Sequence, residues 1–151
     1  MDVRPVLLAT DLTDTTAAAG RVALDHARTR GAPLVVLHVV GSAQLDPAPI
    51  AAHRYRLHEP EDAARDLVAD LERERLTAIR DWFHEVVGDP DGVSASYELA
   101  FGDLPEVVHA VADELGADEV VVGARAGLVG RKLSRLISAA TRPVVVVPEG
   151  A

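Results

Sequence analysis

The sequence predicts an α/β domain in which five short strands alternate with four helices, folded as a five-stranded parallel, doubly wound sheet. Three observations carry that prediction. Short runs rich in Val and Leu alternate along the chain with segments whose apolar residues recur at helical spacing. The runs are continuously hydrophobic, as strands covered on both faces are, and this favours parallel pairing. Glycines stand just past the helical segments, where a left-handed C-terminal cap belongs. No internal repeat and no second domain are visible, so the expectation is one domain over residues 1–151.

In order, the first strand is PVLLAT, 5–10. The first helix runs from about Thr13 to Arg30, buries Val22, Leu24 and Ala27, and stops at Gly31. PLVVLHVV, 33–40, is the second strand. The segment GSAQLDPAPIAAHRYRLHEPED, 41–62, has three prolines and no period. Connections that long in compact domains are usually functional or mobile. Its HRYR cluster, His53 to Arg56, makes it either a flap over a ligand crevice, with Arg54 or Arg56 on an anion and Tyr55 on a base, or a plain surface insertion.

The second helix, about Ala63 to Val87, carries Leu67, Val68, Leu71, Leu76, Ile79, Phe83 and Val86 at helical spacing and ends at Gly88. VSASYELA, 93–100, is the third strand. The third helix opens with DLPE: Asp103 suits the cap, Pro105 the first turn, and Glu106 completes a capping box. It buries Val107, Val108, Val111 and Leu115 before Gly116. DEVVVG, 118–123, is the fourth strand. The fourth helix follows Gly130 and buries Leu133, Leu136, Ile137 and Ala140. PVVVVP, 143–148, is the last strand, and an apolar edge of that kind is a hazard unless paired. The expected partner is a second copy, bound through Val144 to Val147.

Composition narrows the function. Aromatic residues make up 3% of the chain, too few for the stacking platforms that single-stranded nucleic acid needs, and the net charge of −9 disfavours nucleic acid and anionic lipid as partners. With no cysteine there is no disulfide framework, no thiolate nucleophile and no Cys-based zinc site. The six histidines, His26, His38, His53, His58, His84 and His109, are scattered without metal-ligand spacing, so no metal site is expected. His38 lies within a strand and is read as a satisfied core histidine. The start of the chain, MDVRPVLLATDLTD, does not resemble a signal peptide, and no apolar run reaches membrane-spanning length, so a cytoplasmic protein is expected. There is no GxSxG elbow, and no nucleophile, acid and base come together in sequence. No enzyme turnover is expected.

Doubly wound sheets bind ligands beyond the carboxyl ends of the strands, where the strand order reverses. If the first and fourth strands are neighbours, Asp11 faces the loop of VVVGARAGLVGRK, 120–132. Its glycines, Gly123, Gly127 and Gly130, free backbone N–H groups to approach an anion, and the helix that follows offers its positive end. The spacing is neither a dinucleotide fingerprint nor a Walker loop, and a plain tight turn uses glycines in the same way. Charge adds to the case. Between Val120 and Pro148 lie Arg125, Arg131, Lys132, Arg135 and Arg142 and no acid. Arg131 and Lys132 fall in a first helical turn, where the dipole disfavours each cation by about 0.3 to 1 kcal/mol. That marks either an anion site, for phosphate or sulfate, or a basic helix face paired with acids on the second or third helix.

Several stretches together resemble the universal stress protein family over nearly the whole chain. VLLATDLTD is similar to that family's first strand and acidic loop, and APLVVLHVV to its second strand. GDLPEVVHAVADELGADEVVVGARA resembles its third helix and fourth strand, and RPVVVVP its last strand. The resemblance implies the strand order 3-2-1-4-5 and a homodimer joined through the last strand. Nucleotide-binding members carry Gly, two residues, Gly, nine residues, Gly and then Ser or Thr around the phosphates of ATP. Here Gly123 matches the first glycine, Ala126 stands at the second, Gly130 follows after three residues instead of nine, and Arg131 replaces the hydroxyl residue. Ala9, Thr10, Asp11 and Val39 stand where members contact adenine and ribose, although Asp11 also suits helix capping beside Thr13. The reading implied is a homodimeric stress-response module without turnover, with a degenerate anion or phosphate loop built from Gly123, Ala126, Gly127, Gly130, Arg131 and Lys132. The alternative is a protein that binds an adenine nucleotide, ATP or AMP, in the crevice between the first and fourth strands.

Overall fold

The computed structural model describes residues 3–13, 16–40, 54–55, 63–124 and 131–148. Strands β1 (Val6–Thr10), β2 (Leu34–Val40), β4 (Ala95–Phe101), β5 (Glu119–Ala124) and β6 (Val144–Pro148) are parallel, and a two-residue strand β3 (Arg54–Tyr55) runs antiparallel on β4. The order across the sheet is β3-β4-β2-β1-β5-β6. Without β3 this is the expected order of five parallel strands. The helices are α1 (Ala17–Arg30), α2 (Ala63–Trp82), α3 (Leu104–Leu115) and α4 (Arg131–Ser138).

Each central strand feeds two cores, because successive side chains point to opposite faces. Val6 and Leu8 pack with Ala19, Ala23 and Ala27 of α1 and with Ile79, Trp82 and Phe83 on the α2 side. Leu7 and Ala9 pack with Val108, Val111 and Ala112 of α3 and with Leu136 of α4. Leu7 and Leu8 are both fully buried, each worth about 1.5 to 3 kcal/mol of transfer free energy. Two-sided burial is why the strands read as unbroken apolar runs.

Two helix ends follow the predicted chemistry. Gly31 and Gly116 stand in the left-handed region at φ 62° and 64°, and each closes its helix with hydrogen bonds back to the last turn. Other boundaries differ. Helix α1 starts at Ala17, later than Thr13, because Thr10, Asp11, Thr13 and Thr16 bond to one another and hold the chain in a turn. The second helix gives way at Phe83–Val87 to a π-helical turn closed by Gly88 N–H donating to the Phe83 carbonyl at 2.9 Å. This turn carries Val87 against Gly20 of α1, so closely that a Cβ at Gly20 would meet Val87 Cγ2 at 2.4 Å.

Two side-chain expectations are corrected, and one pair of residues has its backbone elsewhere. Asp103 occupies the cap position of α3, but its side chain makes no cap hydrogen bond and instead takes Arg135, whose Nη2 lies 2.8 Å from Oδ2. Ile137 is half exposed, since the inward face of the short α4 is filled by Leu136. Arg54 and Tyr55 lie at the outer edge of the sheet, three strand positions from β1, or about 14 Å at the usual strand spacing. The flap expected from 41–62 otherwise falls outside the described residues.

Candidate functional site

Strand β1 has β2 on one side and β5 on the other, so the strand order reverses beside it. At the carboxyl end of such a reversal the connections diverge to opposite faces and leave a crevice. Ala9 aligns with Leu37 of β2 and Val122 of β5, and Thr10 with His38. Ala9 and the half-buried Val39 share the α3/α4 face, which makes that wall apolar.

Beyond β1 the chain turns sharply. Leu12 has φ 63°, a left-handed conformation that bulky residues adopt only when their surroundings enforce it. The enforcing contacts form a directed chain. Leu12 N–H donates to Thr10 Oγ1 at 3.0 Å. Thr16 gives its single proton to the Thr13 carbonyl at 2.9 Å, so the 3.0 Å contact between the Thr10 and Thr16 hydroxyls is donated by Thr10. Trp82, the sole tryptophan, adds its indole N–H to the same Thr13 carbonyl at 3.3 Å. Asp11 is half-buried, and its Oδ1 accepts the Thr13 N–H at 3.0 Å and the Thr13 hydroxyl at 2.6 Å. Asp11 therefore does not cap α1, whose cap position is Thr16 without a side-chain cap hydrogen bond; its carboxylate closes a local turn with Thr13 instead.

His38 approaches from β2. Its Nδ1 lies 2.9 Å from the Thr10 carbonyl, which can only accept, so Nδ1 carries the proton. Burial lowers its pKa below the ordinary value of 6.5; the Thr10 hydrogen bond and the Asp11 charge oppose the shift, and the Arg75 charge adds to it. The ring is thus held neutral where a free histidine would begin to charge.

On the β5 side, Gly123 is buried, and a Cβ there would sit 3.1 Å from Thr16 Cγ2. Its lack of a side chain lets β5 close on the β1 loop, a packing reason that spacing alone did not reveal. Ala126, Gly127 and Gly130 lie outside the described residues. Arg131 is the first residue of α4, and Lys132, next to it, is exposed. Two of the five basic residues are committed elsewhere. Arg135 pairs with Asp103, and Arg142 donates to the carbonyls of Ala112 and Ala117 and to Asp113, closing the end of α3. Among the described residues Lys132 has no ion-pair partner.

So Ala9, Thr10, Asp11, Val39 and Gly123 lie at the carboxyl ends of the neighbouring strands β1, β2 and β5 or just beyond, with α4 starting after the six residues that follow β5. Sequence reasoning missed Thr16, His38 and Trp82 beside them. The spacing of Thr10, Thr13 and Thr16 at intervals of three was the available signal. Among the described residues no group of three His, Asp or Glu side chains could hold a metal ion, and no helix is long and apolar enough to cross a membrane.

A family profile described as the Universal stress protein family matches residues 2–148. Comparison with curated proteins finds no match. Among solved structures, the universal stress protein UspA from Lactobacillus plantarum is similar at TM-score 0.66 and 21% identity, covering 97% of this chain and 99% of that one. A universal stress protein from Archaeoglobus fulgidus in complex with dAMP is similar at TM-score 0.60 and 21% identity, with coverage of 97% and 99%. A third, a universal stress protein in complex with cAMP, gives TM-score 0.59 at 18% identity and covers 98% of both chains.

Proposed function

The chain belongs to the universal stress protein family, and from that premise we propose that it is a stress-response module whose crevice between β1 and β5 binds an adenine nucleotide carrying a single phosphate. The observation that carries this reading is the short connection between β5 and α4, set against Ala9, Thr10, Asp11 and Val39, which the resemblance matches to adenine and ribose contacts. Ala9 and Val39 give an apolar wall, and Asp11 is held by Thr13 at its edge as a hydrogen-bond acceptor for ribose. Only six residues separate β5 from α4, too few for the longer glycine loop that the resemblance associates with ATP. A single phosphate asks for less loop than a triphosphate, and in this reading Arg131 and Lys132 supply charge and the start of α4 its dipole. Two structural neighbours named as dAMP and cAMP complexes support the choice of ligand class.

Binding occurs without turnover. Thr10, Thr13 and Thr16 each commit their hydroxyl to the β1 loop, so none is presented to an activating base. The protein acts in the cytoplasm as a homodimer through the outer edge of β6, whose Val144, Val145 and Val146 are half-buried in the single chain. A second reading is a dimeric interaction module that takes only an inorganic anion at the α4 start; the contraction of the loop favours it. Mass spectrometry of small molecules released from the purified, denatured protein separates the two. The first reading expects an adenosine monophosphate near one per chain. Phosphate or sulfate binding with no nucleoside, even after saturation with AMP, selects the second.

A further inference from the structure

We infer that His38 is a positioning residue for the crevice: its grip on the Thr10 carbonyl fixes the left-handed turn at Leu12 and thereby the placement of Asp11. The inference rests on the proposed ligand site only for its consequence for affinity; the mechanical part stands on the β1 loop itself. Thr10 ends β1: the ladder to β5 has finished at Ala9 and Val122, while the ladder to β2 ends at the Thr10–His38 pair, whose parallel register gives the Thr10 carbonyl the Val39 N–H and leaves its second lone pair for a side-chain donor. The Thr10 carbonyl belongs to the planar peptide unit that also carries the Asp11 N–H, so whatever holds that oxygen orients the next residue. His38 Nδ1 holds it at 2.9 Å. One peptide unit further on, the Leu12 N–H donates to the Thr10 side-chain hydroxyl at 3.0 Å. Leu12, at φ 63°, would relax without such restraint.

An apolar side chain would fill the His38 position on this face, next to Val36 and Val40, at no desolvation cost. The imidazole contributes something an aliphatic chain lacks, a donor at one particular place. The charged groups that face it are Asp11 from the β1 loop and Arg75 from α2.

Asparagine and glutamine separate donor position from volume. The asparagine amide nitrogen falls where imidazole Nδ1 lies; the glutamine amide reaches the Nε2 position instead. Hydrogen exchange of the Leu12 and Thr13 amides and of the Trp82 indole reads the loop without any ligand, since the indole donates to the Thr13 carbonyl. In His38→Gln these protons are expected to exchange about five- to tenfold faster than in wild type, the loss of about one hydrogen bond, while central β1 and β2 amides are unchanged. His38→Asn is expected to stay within about twofold of wild type by the same measure. AMP affinity should fall by a similar factor in the Gln variant alone. Equal protection in both variants, loss in both, or faster exchange spread evenly over the sheet would overturn the inference. A wild-type protein that does not bind AMP defeats the proposed ligand and leaves the exchange result to judge His38.

Discussion

The two ends of the sheet treat buried polarity in opposite ways. At the amino end of β5, Glu119 is buried and its carboxylate is closed off: His26 Nδ1 lies 2.5 Å from Oε1 and Arg30 Nη2 3.1 Å from Oε2, while Arg30 also reaches Asp118 at 2.5 Å. The backbone there is regular, and these polar groups satisfy one another. At the carboxyl end, the polar groups of Thr10, Asp11, Thr13 and Thr16 hold a left-handed turn and fix the half-buried Asp11 carboxylate. One end uses its hydrogen bonds to join α1 to β5; the other uses them to maintain a shape that the backbone alone would leave. The difference sets an ion-pair cluster at one end of the sheet against the polar turn of the proposed nucleotide site at the other.

If that division is right, mutations at the amino end should cost stability without affinity. The largest effect is expected from Glu119→Ala, which strips His26 and Arg30 of a buried partner. A loss of roughly 2 to 3 kcal/mol is expected, toward the low end for broken buried pairs because both partners are partly exposed and can rehydrate. Urea denaturation measures it, and AMP affinity of the folded variant should not change. A fall in affinity would couple the two ends and break the contrast.

Asp11→Ala should show the reverse pattern. The hydrogen bonds that Asp11 accepts at this half-buried turn are worth about 1 to 2 kcal/mol of stability, whereas the lost acceptor should weaken nucleotide binding about tenfold or more. Loss of stability without loss of affinity would reduce Asp11 to its turn-forming role.

A smaller effect is expected from pH. The folded pKa of His38 lies below 6.5, so between that value and 6.5 the unfolded chain binds more protons than the native one. Stability then rises with pH across this window and falls as the solution is acidified below 6.5. In His38→Asn this contribution to the slope should vanish, leaving a shallower acid loss; parallel curves for the two proteins would place the acid sensitivity elsewhere. The smallest change belongs to Arg135→Ala. Its pair with Asp103 is solvent-exposed and worth less than about 1 kcal/mol, and affinity should be untouched.

The amino-acid pattern made the central sheet readable because burial on both faces writes itself as apolar runs such as LVVLHVV in β2 and VVVV in β6, and because Gly31 and Gly116 mark helix ends through a local conformational need. What depends on distant contacts was not readable in the same way. The π-helical turn at Phe83–Val87 accompanies the close approach of Val87 to Gly20, which belongs to a different helix far back in the chain. Asp103 looked like a cap until Arg135 was brought beside it. The two-residue strand β3 is too short to leave a periodic signal. Around the end of β1, the sequence placed Ala9, Thr10, Asp11, Val39 and Gly123 at strand ends by position along the chain, but His38 is set beside Thr10 only by the strand register.

Isothermal titration of AMP into wild type, Asp11→Ala and the double variant Arg131→Glu with Lys132→Glu tests the central claim most directly. The account predicts saturable binding near one per chain in wild type, weakened about tenfold or more by Asp11→Ala through the lost hydrogen-bond acceptor and abolished by the double charge reversal. Absence of AMP binding to wild type, or binding of equal strength in all three proteins, would contradict it.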